Sequence, residues 1–84
     1  MNPEEVAERL RQGIADARVD VQGGGDRFEI RVVSPAFEGK RRVGRQQLVY
    51  GCINDLLRDG TIHAVTIDAR TPEEVQGADG QGRT

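Results

Sequence analysis

Val19-Asp20-Val21-Gln22-Gly23-Gly24-Gly25-Asp26-Arg27-Phe28-Glu29-Ile30-Arg31-Val32 contains two short alternating runs on either side of a glycine-rich break. Val19 and Val21 alternate with Asp20 and Gln22, and Phe28, Ile30 and Val32 alternate with Glu29 and Arg31. Residues two apart on a strand share a face, so each run has one apolar and one polar side and the pair predicts a β-hairpin. The glycines do not form a phosphate-cradling loop, because such a loop must lead from a strand into a helix and this one leads into a second strand.

Upstream of the hairpin, Asn2 can cap a helix, Pro3 suits its first position, and Glu4 and Glu5 complement its positive end. Val6, Leu10 and Ile14 recur every four residues, which predicts an amphipathic helix over about Pro3 to Ala17. Downstream, Ser34-Pro35-Ala36-Phe37-Glu38-Gly39 reads as a turn holding about one helical turn. Val49, Cys52, Ile53, Leu56 and Leu57 form an apolar stripe on a helix from about Gly44 to Arg58, ended by Asp59-Gly60. Ile62 to Ala69 is a strand with His63, Val65, Ile67 and Ala69 on one face. Thr71-Pro72-Glu73-Glu74 starts a short helix with an N-cap, a proline and two acids.

The order is α-β-β-(turn)-α-β-α. A right-handed crossover from the second strand through the long helix makes strands two and three parallel while the hairpin stays antiparallel. The expected product is a small mixed sheet with helices on one face, in one domain over residues 1–75, followed by a flexible polar tail over 76–84.

The chain's 84 residues allow one modest core. It has no apolar run near the roughly 20 residues that span a bilayer. Its start, Met1-Asn2-Pro3-Glu4-Glu5, is acidic where a signal peptide is basic, so cytoplasmic residence is expected. Cys52 is the single cysteine, which excludes an internal disulfide and a zinc site built on cysteines of this chain alone. Net charge is −2, yet residues 27–45 hold six basic groups against two acidic ones. A basic segment on an acidic body suits a phosphate backbone or an acidic protein surface. One imidazole, one cysteine distant in sequence and no paired-carboxylate or Ser/His/Asp spacing leave no constellation for catalysis, so a binding module is expected and not an enzyme.

Phe37-Glu38-Gly39-Lys40-Arg41-Arg42-Val43, then Arg45-Gln46-Gln47-Leu48-Val49-Tyr50-Gly51, then Ile62-His63-Ala64-Val65-Thr66-Ile67 with Thr71-Pro72-Glu73-Glu74, resemble the BolA family. The Arg-Gln-Gln form resembles its YrbA/IbaG branch. The resemblance implies an α/β (α+β) fold like the class II KH domain, α-β-β-α-α-β-α, with a three-stranded mixed sheet. It also implies two binding roles. One is partnership with a monothiol glutaredoxin, directly or across a shared [2Fe-2S] cluster, in iron-sulfur and iron homeostasis and stress response; the other is DNA binding as a transcriptional regulator.

His63 matches the histidine that the family offers to the bridging cluster, with glutaredoxin cysteine and glutathione as further ligands, and no cluster is expected on the protein alone. Imidazole can replace thiolate at a [2Fe-2S] iron. Many relatives carry a second cysteine or histidine in the loop between the first two strands, but Gly23-Gly24-Gly25-Asp26-Arg27 has neither. A remaining position would fall to Asp26, to solvent or to an exposed Cys52, and oxygen suits such a cluster less well, so a labile cluster is expected. Cys52 shares the stripe of Val49, Ile53 and Leu56, which fits packing better than ligation. Lys40, Arg41, Arg42 and Arg45 are the candidate phosphate contacts for weak, salt-dependent DNA binding. Gly39 and Gly44 stand five apart and do not make the Gly-x-x-Gly clamp of a working KH domain. In a helix-turn-helix-like reading only the N-terminal end of the Arg42 to Arg58 helix could approach DNA, since Asp55 and Asp59 follow. Tyr50 is expected to be partly buried.

Overall fold

Asn2 caps the first helix as its residue type predicts: its Oδ1 accepts a 2.9 Å hydrogen bond from the Glu5 amide. The structure, a computed structural model, describes residues 1–76; apart from Gln76, the expected flexible tail lies outside the described residues. Helix α1 covers Pro3–Gly13, β1 Arg18–Gly24 and β2 Arg27–Val33. A 3-10 turn at Pro35–Phe37 leads to α2 (Arg42–Gly51) and α3 (Asn54–Arg58), then β3 (Ala64–Arg70). A last helical turn, α4, occupies 72–76.

The sheet order is β1-β2-β3, with β1 and β2 antiparallel and β2 and β3 parallel, as the crossover requires. Val21 faces Ile30, which faces Ile67; Val19 faces Val32, which faces Ala69. These residues form the sheet's inner face. Against it pack Val6 and Leu10 of α1, Val49 of α2 and Leu56 of α3, with Ile14, Phe37, Ile53 and Ile62 from the connections. On the outer face Asp20, Arg31 and Asp68 sit side by side, so opposite charges alternate across the strands.

Three boundaries differ from the periodicity reading. The first helix ends at Gly13, four residues before Ala17, because α1 crosses the chain at Cys52: a Cβ on Gly13 would sit 2.5 Å from the Cys52 sulfur. Beyond this crossing Ile14 takes extended backbone and still buries its side chain. The long helix from Gly44 to Arg58 is two helices. At the break the Cys52 and Ile53 amides donate to the carbonyls three residues back, at Val49 and Tyr50, and Ile53 leaves helical backbone. The tighter turn redirects the chain between α2 and α3, and Val49, Ile53 and Leu56 all remain buried in the core on either side of it.

The third correction bears on function. The strand begins at Ala64 and not at Ile62, and His63 does not share the inner face of Val65, Ile67 and Ala69. Ile62 is fully buried, and its amide donates to Leu56 O. The chain then turns, so that the next side chain, His63, points to solvent with 65% of its surface exposed.

The glycine-rich break is also shorter than its composition suggests. Gly23 and Gly24 belong to β1, and the turn proper is Gly25-Asp26. Gly25 has φ +63°, which the first central residue of a mirror-image hairpin turn requires.

Candidate functional site

Two side chains 37 residues apart in sequence meet at the N-terminal end of β3. His63 Nδ1 lies 2.7 Å from Asp26 Oδ2. The backbones that carry them are joined as well, since the amides of His63 and Ala64 both donate to the Asp26 carbonyl oxygen, at 2.8 and 3.2 Å. Asp26 is therefore held at three points against the entry to β3. The hydrogen bond from His63 draws its carboxyl below the usual carboxylate range. Gly60 lies on the other side of the ring: a Cβ there would stand 3.6 Å from His63 Nε2. The turn before His63 is itself set by Asp59, whose Oδ1 accepts from the Thr61 amide at 2.9 Å. Asp26 and His63 are thus brought together, and Gly60, read from sequence only as a helix terminator, proves to be their third neighbour.

Cys52 lies elsewhere, between Gly13 and α2. Its thiol is 3.5 Å from Leu48 O, it is half-buried, and burial pushes its pKa up. A protonated, packed thiol is a poor metal ligand. Among the described residues no group of three or more His, Cys, Asp or Glu side chains is arranged to hold a metal ion. Among the described residues the His63 end offers one imidazole and, bonded to it, the Asp26 carboxylate.

The basic segment splits. Arg45 is 15% exposed and grips Glu74 with both arms of its guanidinium, at 2.6 and 3.0 Å, while also donating to the Lys40 and Ala69 carbonyls. Glu74 closes a reciprocal cap with Thr71: the Thr71 amide donates to Glu74 Oε1 at 3.0 Å and the Glu74 amide to Thr71 Oγ1 at 3.1 Å. The Arg45 guanidinium and these bonds hold the Glu74 carboxyl down at about 2. Arg45 is committed to fixing α4 against α2 and the end of β3. Lys40, Arg41 and Arg42 remain exposed at the start of α2, and Lys40 and Arg42 border an open groove of about 680 Å³ along β3 from Ile67 to Arg70. His63 is not part of that groove. Tyr50 is partly buried, as its position predicts.

The sheet order, the parallel crossover and the helix pair behind it place the exposed imidazole and the matched sequence blocks on one architecture, and the family described as BolA-like protein matches residues 7–74. The chain belongs to the BolA-like family. This BolA-like chain is 38% identical over 74 residues to the acid stress protein IbaG of Escherichia coli K12, covering 88% of both chains. It is 47% identical to an uncharacterised protein of Acinetobacter guillouiae, covering 88% of this chain and 89% of that one. A solved BolA homologue from Coxiella burnetii superposes with a TM-score of 0.78 at 28% identity, over 90% of this chain and 97% of the other. Among the described residues no helix is long and apolar enough to cross a membrane.

Proposed function

We propose that this protein is a binding partner of a monothiol glutaredoxin and that His63 donates to a [2Fe-2S] cluster shared between them. The observation that carries the reading is the pair at the β3 entry: an imidazole 65% exposed, anchored at Nδ1 by Asp26, at the position that resembles the family's cluster histidine. A single nitrogen donor cannot hold a cluster alone, which fits shared ownership with glutaredoxin cysteine and glutathione. The β1–β2 turn adds no thiolate or imidazole, so the cluster is weakly held and readily passed on. The protein's work is then binding and not turnover, in the cytoplasm, and its likeness to an acid stress protein supports a role in stress response and iron homeostasis.

Mixing the protein with a monothiol glutaredoxin, iron, sulfide and glutathione changes the visible circular dichroism, and His63→Ala abolishes the change. An unaltered spectrum with the wild-type protein overturns the proposal.

The exposed cations at the start of α2 support a second reading, as a DNA-binding transcriptional regulator. With Arg45 committed to Glu74, Lys40, Arg41 and Arg42 are what remains of the four candidate contacts, so binding is weak. Each phosphate contact releases about one counterion and steepens the loss with salt. Titration of a labelled duplex at two salt concentrations tests it: affinity that survives removal of these three charges excludes them as the phosphate site.

A further inference from the structure

We infer that Asp26 is a positioning residue for His63 and not itself a ligand: it accepts the Nδ1 proton and so commits Nε2 as the outward donor atom. This inference rests on the cluster-donor reading of His63. A neutral imidazole carries its proton on either ring nitrogen, and only the bare nitrogen can bind a metal. An ionised carboxylate accepts hydrogen bonds and cannot donate, so its contact at 2.7 Å with Nδ1 selects the Nδ1–H form.

The remaining geometry supports the same assignment. The Asp26 carbonyl receives both the His63 and Ala64 amides, so carboxylate and imidazole rise from backbones that are already joined. Ring orientation is settled before any partner arrives, which lowers the ordering cost of binding. Across the ring, Gly60 has φ +82°, and a Cβ at that position would lie in contact with Nε2 at 3.6 Å. The absence of a side chain there leaves the donor nitrogen clear, and among the described residues no protein group bonds it. A carboxylate holding the far nitrogen of a metal-binding histidine raises the basicity of the near one and fixes its direction. Asp26 engaged in this way is turned toward the ring, and its oxygen need not compete at the iron.

Asp26→Asn and Asp26→Ala separate the two roles, because an amide oxygen can still accept from Nδ1–H whereas alanine cannot. Long-range ¹⁵N–¹H NMR of the protein alone, at a pH where the imidazole is neutral, shows a protonated Nδ1 and an unprotonated Nε2 in the wild type. Asp26→Asn keeps that pattern and Asp26→Ala loses it. With glutaredoxin, iron, sulfide and glutathione, Asp26→Ala releases the cluster to a chelator about 10-fold faster or more, and Asp26→Asn stays near wild type. The backbone bonds to His63 and Ala64 persist in both variants, so the amide spectrum stays folded. A wild-type ring protonated at Nε2, or an Asp26→Ala ring with the wild-type pattern, overturns the inference. So does an Asp26→Asn protein that keeps the pattern but loses the cluster, since that behaviour marks Asp26 as a ligand. The NMR pattern in a wild-type protein that gives no cluster spectrum overturns the shared-cluster reading alone.

Discussion

Each end of β3 is pinned by a side chain bonded to a carboxylate, and the two contacts are built for different purposes. At the C-terminal end Arg45, 15% exposed, forks onto Glu74 while also holding two backbone carbonyls, so its donors are consumed by the fold. At the N-terminal end His63 uses one nitrogen on Asp26 and leaves the rest of a ring that is 65% exposed facing solvent. A side chain whose hydrogen-bonding capacity is exhausted internally is architecture. One that is anchored at one atom and free at another is equipped to bind. By this comparison the matched histidine keeps the free atom that the proposed binding role needs, and the arginine that sequence grouped with the basic patch belongs with the scaffold.

The largest effect should come from the residue next to the site. Ile62 is fully buried, and Ile62→Ala should cost about 2–5 kcal/mol in urea unfolding. A loss as small as that of a surface substitution would mean that the turn before β3 is not anchored and that the Ile62/His63 division between core and site is wrong.

At the other end of the strand, Arg45→Lys removes the forked geometry and should lower the thermal midpoint by less than Ile62→Ala, because a lysine ammonium cannot reproduce two parallel bonds. Glu74→Gln sharpens the point through pH. The Glu74 carboxyl lies at about 2 when folded, against an ordinary 4.5. Its contribution is complete above the ordinary value and is lost as pH falls from about 4.5 to about 2. Wild type should therefore be the more stable at pH 7, and the difference should vanish near pH 2; thermal scans of both proteins across that range check it.

The smallest effect on stability belongs to His63→Ala. With so exposed a side chain, the unfolding midpoint should stay within error of wild type at neutral pH, even as the cluster spectrum with glutaredoxin disappears. A substantial destabilisation would place His63 with Arg45 as a structural residue and remove the contrast.

Much of the chain could be read from local chemistry. Asn2 and Pro3 start α1, the alternating runs make the hairpin, and Thr71 and Glu74 cap each other, because each feature depends on residues within one turn or one strand of their neighbours. The candidate site was legible in one half: His63 stood out by uniqueness and by resemblance. Its surroundings did not, because Asp26 and Gly60 reach it only after β2 and β3 pair. Asp26 was legible as the polar residue of a loop without sulfur or imidazole, but not as the neighbour of Nδ1.

The sequence by itself determined the class of elements, their order, the parallel crossover and the apolar sides that face one another, since period and capping are properties of short stretches. Tertiary structure decided where α1 stops, that the long helix breaks at Cys52-Ile53, and which way His63 turns. Those outcomes depend on what a side chain meets across the core: the Cys52 sulfur at Gly13, the pocket filled by Ile53, and the Asp26 carbonyl that receives the amides of His63 and Ala64.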